Sequence, residues 1–168
     1  APNFAYEHRV RRISDQALKK LDLSSMVCFC SGGEPNRADT MNKFIEKFSA
    51  CGLKPEAFNS AFGLAEATLI VTGKTRLGAP QFIHLDYEAY KNDTIVELPI
   101  SDNRGITLPS CGIIIDDVDV VIADKETMEK LPDGLVGEIW VGGESVAAGY
   151  WQKPEISEET FRARLKNN

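Results

Sequence analysis

A chain of 168 residues with 43% hydrophobic side chains can close one core without disulfides or a structural metal. Its formal net charge of -6 and pI near 5.0 exclude a surface that tracks phosphate backbones, which needs clustered Lys and Arg, so no nucleic-acid partner is expected. No stretch approaches the roughly eighteen apolar residues of a membrane span, and no charged-then-apolar leader opens the chain.

Arg9, Arg11 and Arg12 form a short basic cluster that reads as a solvated face beside a helix. Ser14 and Asp15 predict the cap and first turn of a short helix through Leu21. Residues 26–30 read as a buried strand ended by Ser31, Gly32 and Gly33. Cys28, Cys30, Cys51 and Cys111 lack metal-ligand spacing, and His8 and His84 stand too far apart for a zinc motif. The thiols are therefore expected to be buried and reduced, in a cytoplasmic protein.

After Pro35, Asn36 is the expected N-cap of a helix whose Met41, Phe44, Ile45 and Phe48 recur on one face. Gly52 and Pro55 end it, and residues 57–62 form the next strand, giving a parallel βαβ unit. Beyond Gly73 short strands are predicted at 82–85, 94–98, 118–123 and 138–141, the last two pairing as a long hairpin around the turn at Leu131, Pro132, Asp133 and Gly134. Ser157 is the expected cap of a closing helix that carries Phe161 and Leu165. The expected fold class is α/β, a parallel βαβ layer followed by a mostly antiparallel β portion.

Three segments have the composition of a ligand site. Ser31, Gly32, Gly33, Glu34 and Pro35 lie between a strand and a helix, where α/β folds offer backbone amides to a ligand, although an ordinary βα turn has the same make-up. In residues 59–69 a strand runs into a glycine turn that presents Glu66 among small side chains. A carboxylate there can hold Mg²⁺ on a triphosphate, or cap a short helix with Phe62 as core. In residues 137–151 a strand, a glycine break and small residues lead to Tyr150 and Trp151, which also read as core anchors at a sheet corner.

In order and spacing these segments resemble the adenine-site turn, the Tyr-Gly-x-Thr-Glu motif and the Gly-Glu…Gly-Tyr motif of the adenylate-forming superfamily, which includes acyl-CoA synthetases, luciferases and peptide-synthetase adenylation domains. Within it the chain is most similar to the fatty acyl-AMP ligases, on residues 1–6, 21–24, 33–35, 63–69 and 145–151. The resemblance implies the large N-terminal domain of such an enzyme. It divides the chain into an α/β part at 1–73, an inserted element at 74–108, running from about Thr75 to Thr107, and a β-rich part at 109–168. That insertion sets acyl-AMP ligases apart and implies an acyl carrier protein's phosphopantetheine, rather than CoA, as acceptor.

The resemblance further implies ATP and Mg²⁺ as cofactors and a fatty acid as substrate. Gly32, Gly33, Glu34, Pro35, Ser60, Ala61, Phe62, Gly63, Leu64 and Ala65 would bind the nucleotide, with Phe62 on the purine where relatives place Tyr. Ala65 departs from the superfamily's Thr and removes a hydroxyl donor to phosphate. Glu66 would be the catalytic, Mg²⁺-binding residue, and Phe4, Tyr6, Ser110, Cys111 and Gly112 would border the acyl pocket. The family's phosphate loop, ribose-binding Asp, hinge and C-terminal lysine have no counterpart in the 168 residues, and the first residue is Ala1. The expectation is a piece of a parent enzyme, inactive without the remainder. The alternatives are a long-chain acyl-CoA synthetase and a catalytically silent lipid-binding module.

Overall fold

The computed structural model of the chain describes residues 1–73 and 78–166. In order these form α1 (Asn3–Arg12), α2 (Asp15–Leu18), β1 (Phe29–Ser31), α3 (Ala38–Ser49), β2 (Phe58–Ser60), β3 (Phe62–Leu64) and β4 (Leu69–Gly73). There follow β5 (Phe82–Asp86), α4 (Tyr87–Lys91), β6 (Gly105–Pro109), β7 (Ile113–Ile114), β8 (Val118–Ala123), β9 (Glu138–Gly143) and α5 (Pro154–Phe161). Two compact units interleave along the sequence: Ala1–Gly63, Thr72–His84 and Thr107–Ile113 make the first, and Leu64–Val71, Leu85–Ile106 and Ile114–Asn168 the second.

In the first unit β1 and β2 pair in parallel, Phe29 opposite Phe58 and Ser31 opposite Ser60, with α3 as the crossover between them. The expected α/β class is thus met. The α3 stripe faces inward: Met41, Phe44 and Phe48 are buried together with Tyr6, Cys51, Leu53, Ala57 and Phe58, and Ile45 packs on the edge of that cluster. Phe44 is its hub, its ring 4.5–5.5 Å from those of Tyr6, Phe29, Phe48 and Phe58.

Nothing local in the sequence marks the start of helix α1, because Pro2 at its N-cap position has no side chain that can bond the first amides. Tertiary contacts hold it instead. Lys47 of α3 donates to the carbonyls of Val10 and Ile13, each at 2.6 Å, and so satisfies acceptors that a helix C-terminus leaves open. Arg9, Arg11 and Arg12 occupy its last turn, where cations are favourable.

Several boundaries move. Ser14 caps α2 through the amide of Ala17, as expected, but the helix stops at Leu18 because Lys20 and Leu21 take tighter bonds to Ala17 and Leu18. β1 begins at Phe29, and Cys28 and Cys30 are exposed, correcting the expectation of buried thiols there; Cys51 alone of the four is fully buried. The N-cap position of α3 is Arg37, because the Asn36 side chain turns back to the Ser31 carbonyl at 3.4 Å.

In the second unit β8 and β9 form the predicted antiparallel hairpin, Val118 opposite Gly143 and Ala123 opposite Glu138. Residues 94–98 make only isolated bridges, Leu85 with Glu97 and Thr94 with Leu135, rather than the strand expected there. Helix α5 starts at Pro154, which suits a first helical position, so Ser157 lies inside the helix and Leu165 beyond it. The strands β3, β4 and β7 form a sheet in that order, and β5 pairs with β6. The inserted element expected from about Thr75 begins outside the described residues.

Replacing Phe44 by Ala removes a ring that touches four others and should lower unfolding free energy by about 3–5 kcal/mol, read by denaturant titration. Tyr6 gives a pH signature. Burial, then the neighbouring Cys30 and Cys28, push its phenol up to about 12, and its hydroxyl donates to the Cys30 carbonyl at 2.6 Å. A raised folded value favours the protonated phenol in the folded state, so this stabilisation is complete below the ordinary value of 10.0 and disappears as pH climbs towards 12. The denaturation midpoint should fall across that window, and Tyr6→Phe should remove that part of the fall.

Candidate functional site

The turn at 32–35 is anchored on both sides within the first unit. The Ser31 carbonyl accepts the amide of Ala61 at 2.9 Å, so the strand end that carries Ser60 and Ala61 lies directly beside the turn. A Cβ on Gly32 would stand 3.2 Å from the Ala61 carbonyl oxygen, which leaves little room for any side chain there. Glu34 takes the amide of Phe4 on its carboxylate at 2.5 Å, an anion placed against the open amides of the α1 N-terminus. Asn3 completes the tether, accepting the amide of Arg37 at 3.1 Å and donating to Thr40 at 3.3 Å.

Ser60 donates to the Ser110 carbonyl, and the Ser110 hydroxyl accepts the Gly112 amide at 3.1 Å. Thr72 donates to the Cys111 carbonyl at 2.9 Å. The first unit therefore brings together Gly32–Pro35, Ser60, Ala61 and the 110–112 loop. Phe62 and Gly63 are half-buried. Phe4 is 62% exposed, whereas Tyr6 is closed into the aromatic core.

Two polar atoms whose state the sequence does not reveal lie beside the turn. The Ser31 hydroxyl and the Asn36 amide oxygen are buried and have no hydrogen-bond partner among the described residues. Such atoms cost free energy unless something satisfies them. In the sequence Asn36 reads as a helix cap, which hides this.

Leu64, Ala65 and Glu66 belong to the second unit. Residues 65–67 form a single tight turn, after which Thr68 and Leu69 both take positive φ, 53° and 95°. A leucine at that angle is strained, and strain of this kind persists only where neighbours impose it. The neighbours are residues 145–150. Ala147 donates its amide to the Glu66 carbonyl at 2.7 Å, Thr68 donates its hydroxyl to the Ser145 carbonyl, and Tyr150 donates its phenol to Oε1 of Glu66.

The Tyr150 hydroxyl holds the Glu66 carboxyl below its ordinary value, and the carboxylate in turn pushes the phenol up. Tyr150 and Trp151 are 38% and 86% exposed, so they are not the core anchors that their aromatic character allowed. The partnership of Tyr150 with Glu66 was missed because the two residues lie far apart in sequence.

A carboxylate has about four lone-pair sites and a phenol occupies one, so Glu66 retains capacity for a hard cation. Among the described residues no group of three or more His, Cys, Asp or Glu side chains could hold a metal ion. One surface carboxylate without a protein cage fits Mg²⁺ that keeps its waters and arrives on substrate phosphates. No helix among the described residues is long and apolar enough to cross a membrane.

The family model described as "AMP-binding enzyme" matches residues 3–151. The long-chain-fatty-acid–AMP ligase FadD26 of Mycobacterium marinum is 42% identical over 99% of this chain and 28% of its own length. The medium-chain-fatty-acid–[acyl-carrier-protein] ligase JamA of Moorena producens is 38% identical over 98% of this chain and 28% of its own. A crystal structure of a fatty acyl-adenylate ligase from Legionella pneumophila, in complex with acyl adenylate and pyrophosphate, superposes with a TM-score of 0.93 at 38% identity, covering 100% of this chain and 29% of the other. The chain thus spans under a third of the length of these relatives.

Two glycines in the first unit separate conformational from steric cost. Gly33 has φ +83° with open space around it, and Gly33→Ala should cost only the left-handed penalty, about 1–2 kcal/mol. Gly112 has φ +92°, and a Cβ added there would collide with the Gly73 carbonyl oxygen. Gly112→Ala should exceed the first variant by about 1–3 kcal/mol in denaturant unfolding.

Proposed function

The chain belongs to the AMP-binding enzyme family, and on that premise we propose that it carries part of the nucleotide site of a fatty acyl-AMP ligase. The reaction is the in-line displacement at the α-phosphorus of ATP. A fatty carboxylate oxygen forms the new bond to phosphorus as the bond to the bridging oxygen of the leaving pyrophosphate breaks, and the product is acyl-AMP. An acyl carrier protein's phosphopantetheine thiol then takes the acyl group and AMP departs.

The observation that carries this reading is Glu66, a surface carboxylate fixed through both its main chain and its side chain on a strained turn. Mg²⁺, when bound, supplies charge neutralisation on the phosphates. Glu66 would hold that cation, and so help to position the phosphates for displacement. Gly32 to Pro35 receive the adenine, beside the buried Ser31 hydroxyl and Asn36 amide oxygen. Ser60, Ala61, Phe62 and Gly63 of the first unit would also serve the nucleotide, with Phe62 on the purine, and Leu64 and Ala65 of the second unit would do so on the approach to Glu66.

Phe4 and the loop of Ser110, Cys111 and Gly112 border the acyl pocket. Tyr6, expected to border that pocket as well, is closed into the core. Residues 74–108 are the inserted element that favours a carrier protein over CoA. The cytoplasm, which holds the ATP, is the proposed location. The catalytic protein is a longer polypeptide that includes this chain, because the ligase relatives are more than three times its length.

In that full-length protein Glu66→Gln keeps the shape of the side chain and removes its charge. Pyrophosphate release with ATP, Mg²⁺ and a long-chain fatty acid should fall on the order of 100-fold, as when one electrostatic stabiliser is removed from an active site. Unchanged release would overturn the assignment. Supplying the acyl-AMP with either CoA or a carrier protein and weighing the products by mass spectrometry decides the acceptor, and acylated CoA would make the enzyme an acyl-CoA synthetase.

A further inference from the structure

Resting on the assignment of Glu66 as the cation's carboxylate, we propose that Tyr150 is a positioning residue for the reaction, fixing which lone pairs Glu66 presents to the metal. A glutamate on a turn has three side-chain torsions and, unaided, samples many rotamers. Here one segment grips it twice. Ala147 holds the Glu66 carbonyl at 2.7 Å, and three residues later Tyr150 holds Oε1, so backbone and carboxylate are indexed to the same stretch of chain.

Tyr150 is itself built in. Its amide donates to the Ser157 hydroxyl at 2.8 Å, and that hydroxyl donates to the Lys153 carbonyl at 2.6 Å. Its ring meets Phe161 edge-on with centroids 5.1 Å apart. Helix α5 thereby sets the position of the phenol. The hydroxyl lies at the surface, where a hydrogen bond adds little to folding, so the arrangement is better explained by orientation than by stability. Carboxylates that ligate metals are commonly oriented by such an outer partner, and losing it weakens metal binding about 10–100-fold.

Tyr150→Phe removes the hydroxyl and keeps the ring that packs on Phe161. The test uses the full-length protein with ATP and no fatty acid, and follows Mn²⁺ retention by electron paramagnetic resonance, a readout independent of turnover. Tyr150→Phe should weaken Mn²⁺ retention about 10–100-fold. It should raise the metal concentration for half-maximal pyrophosphate release by the same factor and leave the KM for fatty acid unchanged. The thermal midpoint should stay within about 4 °C of the parent.

If Glu66→Gln abolishes Mn²⁺ retention while Tyr150→Phe retains it at the parent level or more tightly, Tyr150 has no positioning role and this inference is wrong while the assignment of Glu66 survives. If neither variant changes retention, the assignment of Glu66 fails and takes the inference with it.

Discussion

A turn of three residues cannot hold a carboxylate still, and in the second unit the chain at 145–150 supplies what the Glu66 turn lacks. The amide of Ala147 and the phenol of Tyr150 bind the same glutamate, while Thr68 is tied to Ser145. These three bonds run between two segments that are remote in sequence, and they impose positive φ on Thr68 and Leu69. Conformational strain of about 1–3 kcal/mol per residue is tolerated because the surrounding bonds over-determine the geometry.

The first unit solves a different problem, the placing of a glycine turn between a strand and a helix. Its solution is hydrophobic at the base and polar at the tip. The rings of Phe44, Phe58 and Tyr6 fix α1 and α3 against the parallel strands, and the Tyr6 hydroxyl carries that rigidity to the Cys30 carbonyl of β1. At the tip, Glu34 and Asn3 stitch the turn to α1, so the helix that the sequence concealed is also the one that braces the site.

Legibility followed the range of the interactions. The α3 stripe and the β8–β9 hairpin could be read because their signals, spacing of three and four or alternation around a Pro-Asp-Gly turn, are local. Helix α1 could not, because Lys47 from another helix supplies its C-terminal partners. Cys28 and Cys30 look buried in an apolar run, yet among the described residues β1 has only β2 beside it and both cysteines are exposed. Residues 94–98 are β-prone in composition, but Pro99 and the lack of a continuous partner leave only bridges. The three candidate site segments stand out by composition and order. What composition could not provide was the pairing of Glu66 with Tyr150 or the unsatisfied atoms of Ser31 and Asn36, since both depend on chain that folds back from elsewhere.

The two tryptophans occupy contrasting surroundings. Trp140 lies half-buried in β9 with its indole N–H on the Glu138 carboxylate at 2.8 Å, while Trp151 stands 86% exposed immediately after Tyr150. A solvated indole emits at longer wavelength than a sheltered one, so the red edge of the fluorescence spectrum belongs to the residue adjoining the phenol. The chain thus has an intrinsic optical label next in sequence to Tyr150, and changes around that phenol can be followed by light without attaching a dye.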